Sequence, residues 1–216
     1  MPILLHNYFR SSASYRVRIA LNLKGLPHDY RSVHLNRNGG EQRSPAFLQL
    51  NPQGLVPLLV DDDVTSGQSL AIIEYLEERY PSPSLLPKGL AERAFVRSLA
   101  NHVACDVHPL NNLRVLKFLT GPMALTDDRK SEWVQHWIEQ GLRALEDQVC
   151  ASGLSGRFCV GDSPTMADCC LVPQIFSAQR FNVGLDAYPT LMRIHAHCEA
   201  EEAFRKAHPG VQPDSE

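Results

Sequence analysis

Residues 10–21 read Arg10-Ser11-Ser12-Ala13-Ser14-Tyr15-Arg16-Val17-Arg18-Ile19-Ala20-Leu21, and they follow the apolar run Ile3-Leu4-Leu5 after one short loop. A strand that ends in a serine-rich turn and enters a helix leaves the first N–H groups of that helix without intrahelical partners, all pointing one way. Such an end attracts anions. Ser11 or Ser12, just ahead of the first turn, is a capping type and can also hydrogen-bond an incoming thiolate, lowering its pKa as helix N-termini do for cysteines. Arg10 adds a fixed positive charge. The same residues also read as a plain capped helix behind a strand, and the flanking segments decide between the two.

Working outward, the first part of the chain alternates strand and helix. Ile3 to His6 forms one strand, Ser12 to Lys24 a helix stopped by Gly25 and Pro27, and His28 to His34 a second strand, an alternation that favours parallel pairing. Ser44 to Leu50 is a short helix. Asn51-Pro52-Gln53-Gly54 turns the chain into the strand Leu55 to Val60, where Pro57 cannot donate to the ladder. A cis bond at Val56–Pro57 turns the backbone of Val56 outward, where it can pair with an extended peptide as an added strand would. Asp61-Asp62-Asp63 reads as a solvated hairpin tip. From Gln68 to Tyr80, Ile72, Ile73, Leu76 and Tyr80 share one face, with Glu74, Glu77 and Glu78 outside. Gln68 and Ser69 open this helix, where a carboxylate can be held.

Pro81-Ser82-Pro83-Ser84 breaks all periodicity, so residues 1–80 are expected to be one domain, 81–89 a linker and 90–216 an all-helical domain. In the helical part, Phe95, Leu99, Val103, Val107 and Leu110 predict a long helix from Leu90 to Leu119, bent near Asp106-Val107-His108 because Pro109 removes a hydrogen bond. A helix from Asp128 to Cys150 follows. Thr165-Met166-Ala167-Asp168 is a capping box ahead of a buried helix that reaches Arg180. One more helix runs from Pro189 to Glu202.

Composition narrows the function. The chain has 216 residues, a net charge of -3 and 44% hydrophobic residues, so it can build a full core and presents no basic surface for nucleic acid. From Met1 to Arg10 the apolar run is too short for a signal peptide, and no apolar run reaches membrane-spanning length, so a cytoplasmic location is expected. Six cysteines without CxxC spacing read as reduced thiols, and His102-Cys105-His108 and His195-His197-Cys198 lack a second half at zinc-site spacing, so no metal is expected.

The order of these parts resembles the glutathione transferase family over nearly the whole chain: a βαβ unit, a Val-Pro strand, a Gln-Ser helix start, a proline-rich linker and a helical remainder with a Gly-Asp-x-x-Thr-x-x-Asp box. Ser11-Ser12-Ala13-Ser14-Tyr15-Arg16-Val17-Arg18 is similar to the zeta-class signature, with Ala13 at a position commonly held by Cys. Residues 106–114, Asp106-Val107-His108-Pro109-Leu110-Asn111-Asn112-Leu113-Arg114, together with Gln212-Pro213-Asp214, are similar to bacterial maleylacetoacetate and maleylpyruvate isomerases. The implied fold is an α/β thioredoxin-like N-terminal domain followed by an all-α domain, and the implied cofactor is glutathione.

The resemblance also implies roles. Ser11, with Ser12, stabilises the glutathione thiolate, Val56 beside Pro57 pairs with its cysteinyl part, Gln68 and Ser69 hold its γ-glutamyl end, and Gln42 and Gln53 are candidates for the glycyl end. His108 and Asn112 join the cofactor-binding set, while Arg10, Arg114 and Arg180 join the catalytic set as partners of a small dicarboxylate. Ala13 removes the thiol with which dehalogenating relatives form a mixed disulfide. The implied reaction is reversible thiolate addition to a conjugated cis double bond, rotation, and expulsion with the bond trans, which leaves glutathione unchanged. A conjugating transferase needs the thiolate site without the arginines, and a non-catalytic binding module needs neither. The family's usual dimer makes a homodimer the expected assembly.

Overall fold

The structure is a computed structural model that describes residues 2–216, and the chain divides into two compact units. The first consists of the residues up to Leu85 together with Glu199–Glu216, and the second of Leu86–Cys198. This corrects the expected domain boundary at the C-terminal side. The segment from Glu199 onward is helical in part, but its partners lie in the first unit, and no local signal encodes a partner that far away in sequence.

The first unit is built on a four-stranded sheet in the order β2-β1-β3-β4. β1 (Ile3–Asn7) pairs parallel with β2 (His28–Ser32) across the crossover helix α1 (Ser12–Leu23), as the alternation predicts. After α2 (Pro45–Leu50), β3 (Leu58–Asp61) runs antiparallel to β1, with Leu5 opposite Leu59, and then pairs with β4 (Val64–Gly67). The strand expected to begin at Leu55 thus begins beyond Pro57. Of the three aspartates at the hairpin tip, Asp62 and Asp63 are exposed, but Asp61 is buried and accepts from the hydroxyls of Tyr75 (2.9 Å) and Tyr80 (2.8 Å).

Helix α3 (Ser69–Arg79) turns Ile72, Ile73 and Leu76 inward, as expected. Glu77, expected outside, is buried, and its carboxylate accepts from Lys24 Nζ (2.7 Å), the Leu85 N–H (2.9 Å) and the Ser84 hydroxyl. A buried acid is tolerable only when paired and hydrogen-bonded, and Lys24, itself buried, supplies the opposite charge. Helix α9 (Glu202–Ala207) packs on α1 and closes the unit.

In the second unit, α4 (Leu90–Asn101) continues into a π-helical turn at His102–Val107 and a 3-10 turn at His108–Asn111, and α5 (Leu113–Thr120) starts afresh. The single bent helix expected here is therefore interrupted. Asn112 takes an extended conformation, and its side chain caps α5. Helix α6 (Asp127–Ser152) packs on the π turn at Gly141, where a Cβ would lie 2.3 Å from Val107 Cγ2. The capping box forms as expected at the start of α7 (Met166–Arg180): Asp168 accepts from the Thr165 N–H and hydroxyl, each at 2.8 Å, and also from the Cys159 N–H at 2.8 Å. Burial raises the Asp168 pKa, and these hydrogen bonds oppose the rise. The last expected helix is α8 (Pro189–Ala200), and a further helix, α9, not expected from the sequence, follows it after Glu201, whose backbone is extended.

Candidate active site

Everything that positions Ser11 lies within the first unit. Ser11 is the N-cap of α1, and its Oγ accepts from the Ser14 N–H at 3.2 Å, which leaves its own O–H free to donate outward. The N–H groups of Ser12 and Ala13, in the open first turn, have no acceptor among the described residues. Ser11, Ser12 and Ala13 are all half-buried. One hydroxyl and two backbone donors therefore converge on a place suited to a thiolate or another small anion. Arg10 beside them is exposed, with its guanidinium 5.4 Å from the centroid of the Phe9 ring and Nη2 3.4 Å from the Tyr8 hydroxyl.

Two arginines of α1, Arg16 and Arg18, are both buried and both touch the site's framework. Arg16 donates to Ser69 Oγ at 3.1 Å. Arg18 donates to Asn7 Oδ1 (3.0 Å), the Tyr8 carbonyl (3.4 Å), the Phe9 carbonyl (2.8 Å) and the Ala207 carbonyl (3.0 Å), so one guanidinium ties the loop before Ser11 to α9. Burial lowers the Arg18 pKa to about 10, with Tyr30, Tyr15 and Asp214 nearby opposing the fall, and the group stays charged at neutral pH. Asp214 accepts from the Phe9 N–H (3.3 Å), the Ser32 hydroxyl (2.7 Å) and the Tyr30 hydroxyl. Burial and the bond to Asp214 both raise the Tyr30 pKa. Neither Arg18 nor Asp214 carries a local sequence signal for this role, because their partners lie on other elements, up to 205 residues away.

Val56 and Pro57 are joined by a cis bond, and among the described residues neither the N–H nor the C=O of Val56 is hydrogen-bonded. Both Val56 and Pro57 are buried. Gln68 adopts a left-handed backbone (φ 65°) ahead of α3, and no side chain caps that helix. Ser69, 5% exposed, accepts from Arg16, so its hydroxyl hydrogen is free for a ligand. Gln68 Nε2 donates to Gln53 Oε1 at 2.8 Å, which brings together two side chains assigned by resemblance to opposite ends of the cofactor. Gln42 does not join them. It is buried against Gly40, with its Oε1 unpartnered.

In the second unit, His108 and Asn112 lie in the interrupted stretch between α4 and α5, and Arg114 is in the first turn of α5. Asn112 Oδ1 accepts from the Arg114 N–H at 3.1 Å, so its side-chain oxygen serves as a helix cap. Arg114 is exposed. Arg180 is exposed at the end of α7, 4.8 Å from the centroid of the Phe181 ring. Among the described residues, no group of three or more His, Cys, Asp or Glu could hold a metal ion, and no helix is long and apolar enough to cross a membrane.

A family pattern described as glutathione S-transferase, N-terminal domain, matches residues 5–84. Over 215 residues the chain is 47% identical to a probable maleylacetoacetate isomerase of Vibrio cholerae, a match that covers 100% of this chain and 99% of that one. The fold is similar to a holo maleylpyruvate isomerase described as a bacterial glutathione S-transferase of the zeta class, with TM-score 0.95, 46% identity, and coverage of 99% of this chain and 100% of that chain. It is also similar to a maleylacetoacetate isomerase from Methylobacterium extorquens with bound malonate and GSH, with TM-score 0.93, 42% identity and 99% coverage of each chain.

Proposed function

The chain belongs to the glutathione S-transferase family, and on that premise we propose that it is a glutathione-dependent cis-trans isomerase acting on maleylacetoacetate. The observation that carries this reading is the start of α1, where the free Ser11 O–H and two unpartnered N–H groups converge. Bound glutathione supplies the nucleophilic sulfur that adds to the cis alkene and leaves it trans. Ser11 and the helix start hold that sulfur as a thiolate. The unpaired Val56 backbone accepts the cysteinyl part as an added strand, and Ser69, Gln68 and Gln53 receive the γ-glutamyl end at the uncapped start of α3. Gln42, buried with its Oε1 unpartnered, is kept as the candidate for the glycyl end.

Arg10, Arg114 and Arg180 are assigned to the acid substrate, because guanidinium groups bind carboxylates in a two-pronged geometry and offset negative charge developing on the alkene. We assign His108 to the same substrate and Asn112 to holding Arg114 in place. Maleylpyruvate is the second reading, favoured by the likeness to the zeta-class maleylpyruvate isomerase. A cytoplasmic homodimer is the assembly we assign, and light scattering checks it.

Absorbance assays with each cis acid, with and without glutathione, test the reaction. Turnover of maleylacetoacetate that requires glutathione and leaves its concentration unchanged supports the proposal. Stoichiometric loss of glutathione would assign a conjugating transferase instead.

A further inference from the structure

Phe9 stands two residues before Ser11, and both of its backbone polar groups are held by side chains distant in sequence. Its carbonyl accepts from Arg18 Nη2 at 2.8 Å, and its N–H donates to Asp214 Oδ2 at 3.3 Å. Asp214 is itself fixed by the hydroxyls of Ser32 and Tyr30, on the strand next to β1. Around it, the Glu199–Glu216 segment is tied down at further points: Asn22 Nδ2 donates to the Ala203 carbonyl (2.9 Å), Arg18 to the Ala207 carbonyl, and Arg37 to Glu216. The Ser11 N–H in turn donates to the Tyr8 carbonyl, which Arg18 also contacts. The loop that delivers the N-cap of α1 is thus gripped by a cation from α1 and an anion from the far end of the chain.

We propose that Asp214 is a positioning residue for the thiol-binding start of α1, acting through the Phe9 N–H to hold Ser11 in the pose that stabilises a thiolate. The proposal rests on the reading of Ser11 given above. A loop free to drift by an ångström would still fold, but it would lose the alignment of the Ser11 O–H with the sulfur, and hydrogen bonds weaken steeply with misalignment. Asp214 touches neither cofactor nor substrate, so its influence falls on thiolate formation and not on carboxylate recognition.

The test compares Asp214→Ala, Asp214→Asn and Glu216→Ala. Asn keeps an oxygen able to accept from Phe9, while Glu216→Ala removes the pairings with Arg37 and His34 in the same segment and leaves Asp214 intact. Two measurements are made on folded protein: ultraviolet thiolate absorbance of bound glutathione against pH, and hydrogen exchange of the Phe9 and Ser11 amides without glutathione. The expected result is about tenfold less thiolate at neutral pH for Asp214→Ala. Exchange at Phe9 and Ser11 speeds up in that variant while the interior of α1 is unchanged, Asp214→Asn recovers most of both signals, and Glu216→Ala matches the parent. Thiolate titration and exchange identical to the parent in Asp214→Ala overturn the proposal. A parent protein that binds no thiolate overturns the Ser11 reading instead, and the exchange data then report on the clamp separately.

Discussion

Ser11 uses one hydroxyl in two directions, its oxygen capping α1 and its hydrogen left for a ligand. Ser11→Ala is therefore expected to lose on the order of 10²-fold to 10³-fold in kcat, the loss found when one preorganised donor is removed, and about 1 kcal/mol of stability from the lost cap. Ser11→Thr keeps both bonds and is expected to retain most of each, with kcat and urea unfolding read on the same samples. Glu77 shows a different economy. Burial pushes its carboxyl up, but hydrogen bonds from Lys24, Ser84 and the Leu85 N–H together bring the pKa below its ordinary value of 4.5. A carboxyl lowered in the folded state contributes stability that is complete above its unfolded pKa and lost as pH falls through the folded one. Unfolding free energy is thus expected to drop more steeply below pH 4.5 in the parent than in Glu77→Gln. Urea titrations at stepped pH check this, and parallel slopes would contradict the pairing.

Among the elements, those coded by near neighbours were legible in advance. Ser11, Thr165 and Asp168 mark helix starts through bonds spanning three residues, and the structure keeps those bonds. Pro109 announced a disturbance, because a missing N–H is a local fact. Its form, a π turn followed by a 3-10 turn, depends on how α6 packs against it, and that is not written in residues 102–111. Gly141 is the hinge of that packing, with its carbonyl also 3.0 Å from His102 Nε2. Gly141→Ala would gain helix propensity, but its methyl would meet Val107, so a net destabilisation of about 1–3 kcal/mol is expected from overpacking. Paired with Val107→Ala, which opens the space, the loss should shrink, and a double-mutant cycle in urea measures the coupling. The candidate site follows the same division: Ser11, Ser69 and Val56 lay in recognisable local motifs, whereas Arg18, Asp214 and the contact between Gln53 and Gln68 emerge only when distant strands and helices meet.

For the molecule as a whole, glutathione bound to the folded state and not to the unfolded one raises the stability of whatever unfolds with the first unit, by about 2.7 kcal/mol at a hundredfold excess over Kd. Thermal melts with rising glutathione are expected to shift upward logarithmically in the parent and by less in Ser11→Ala, which separates binding at α1 from binding elsewhere. An unmoved transition would count against the first unit as the cofactor's seat. The first unit also has an unusual schedule of manufacture. Its sheet and α1 leave the ribosome early, but the carboxylate that reaches the Phe9 loop is translated only after every residue from Leu86 to Cys198. On the role proposed for Asp214, a half-made chain holds its early helices without the clasp at their reactive end, and the thiolate seat is completed only after the intervening helices have been synthesised.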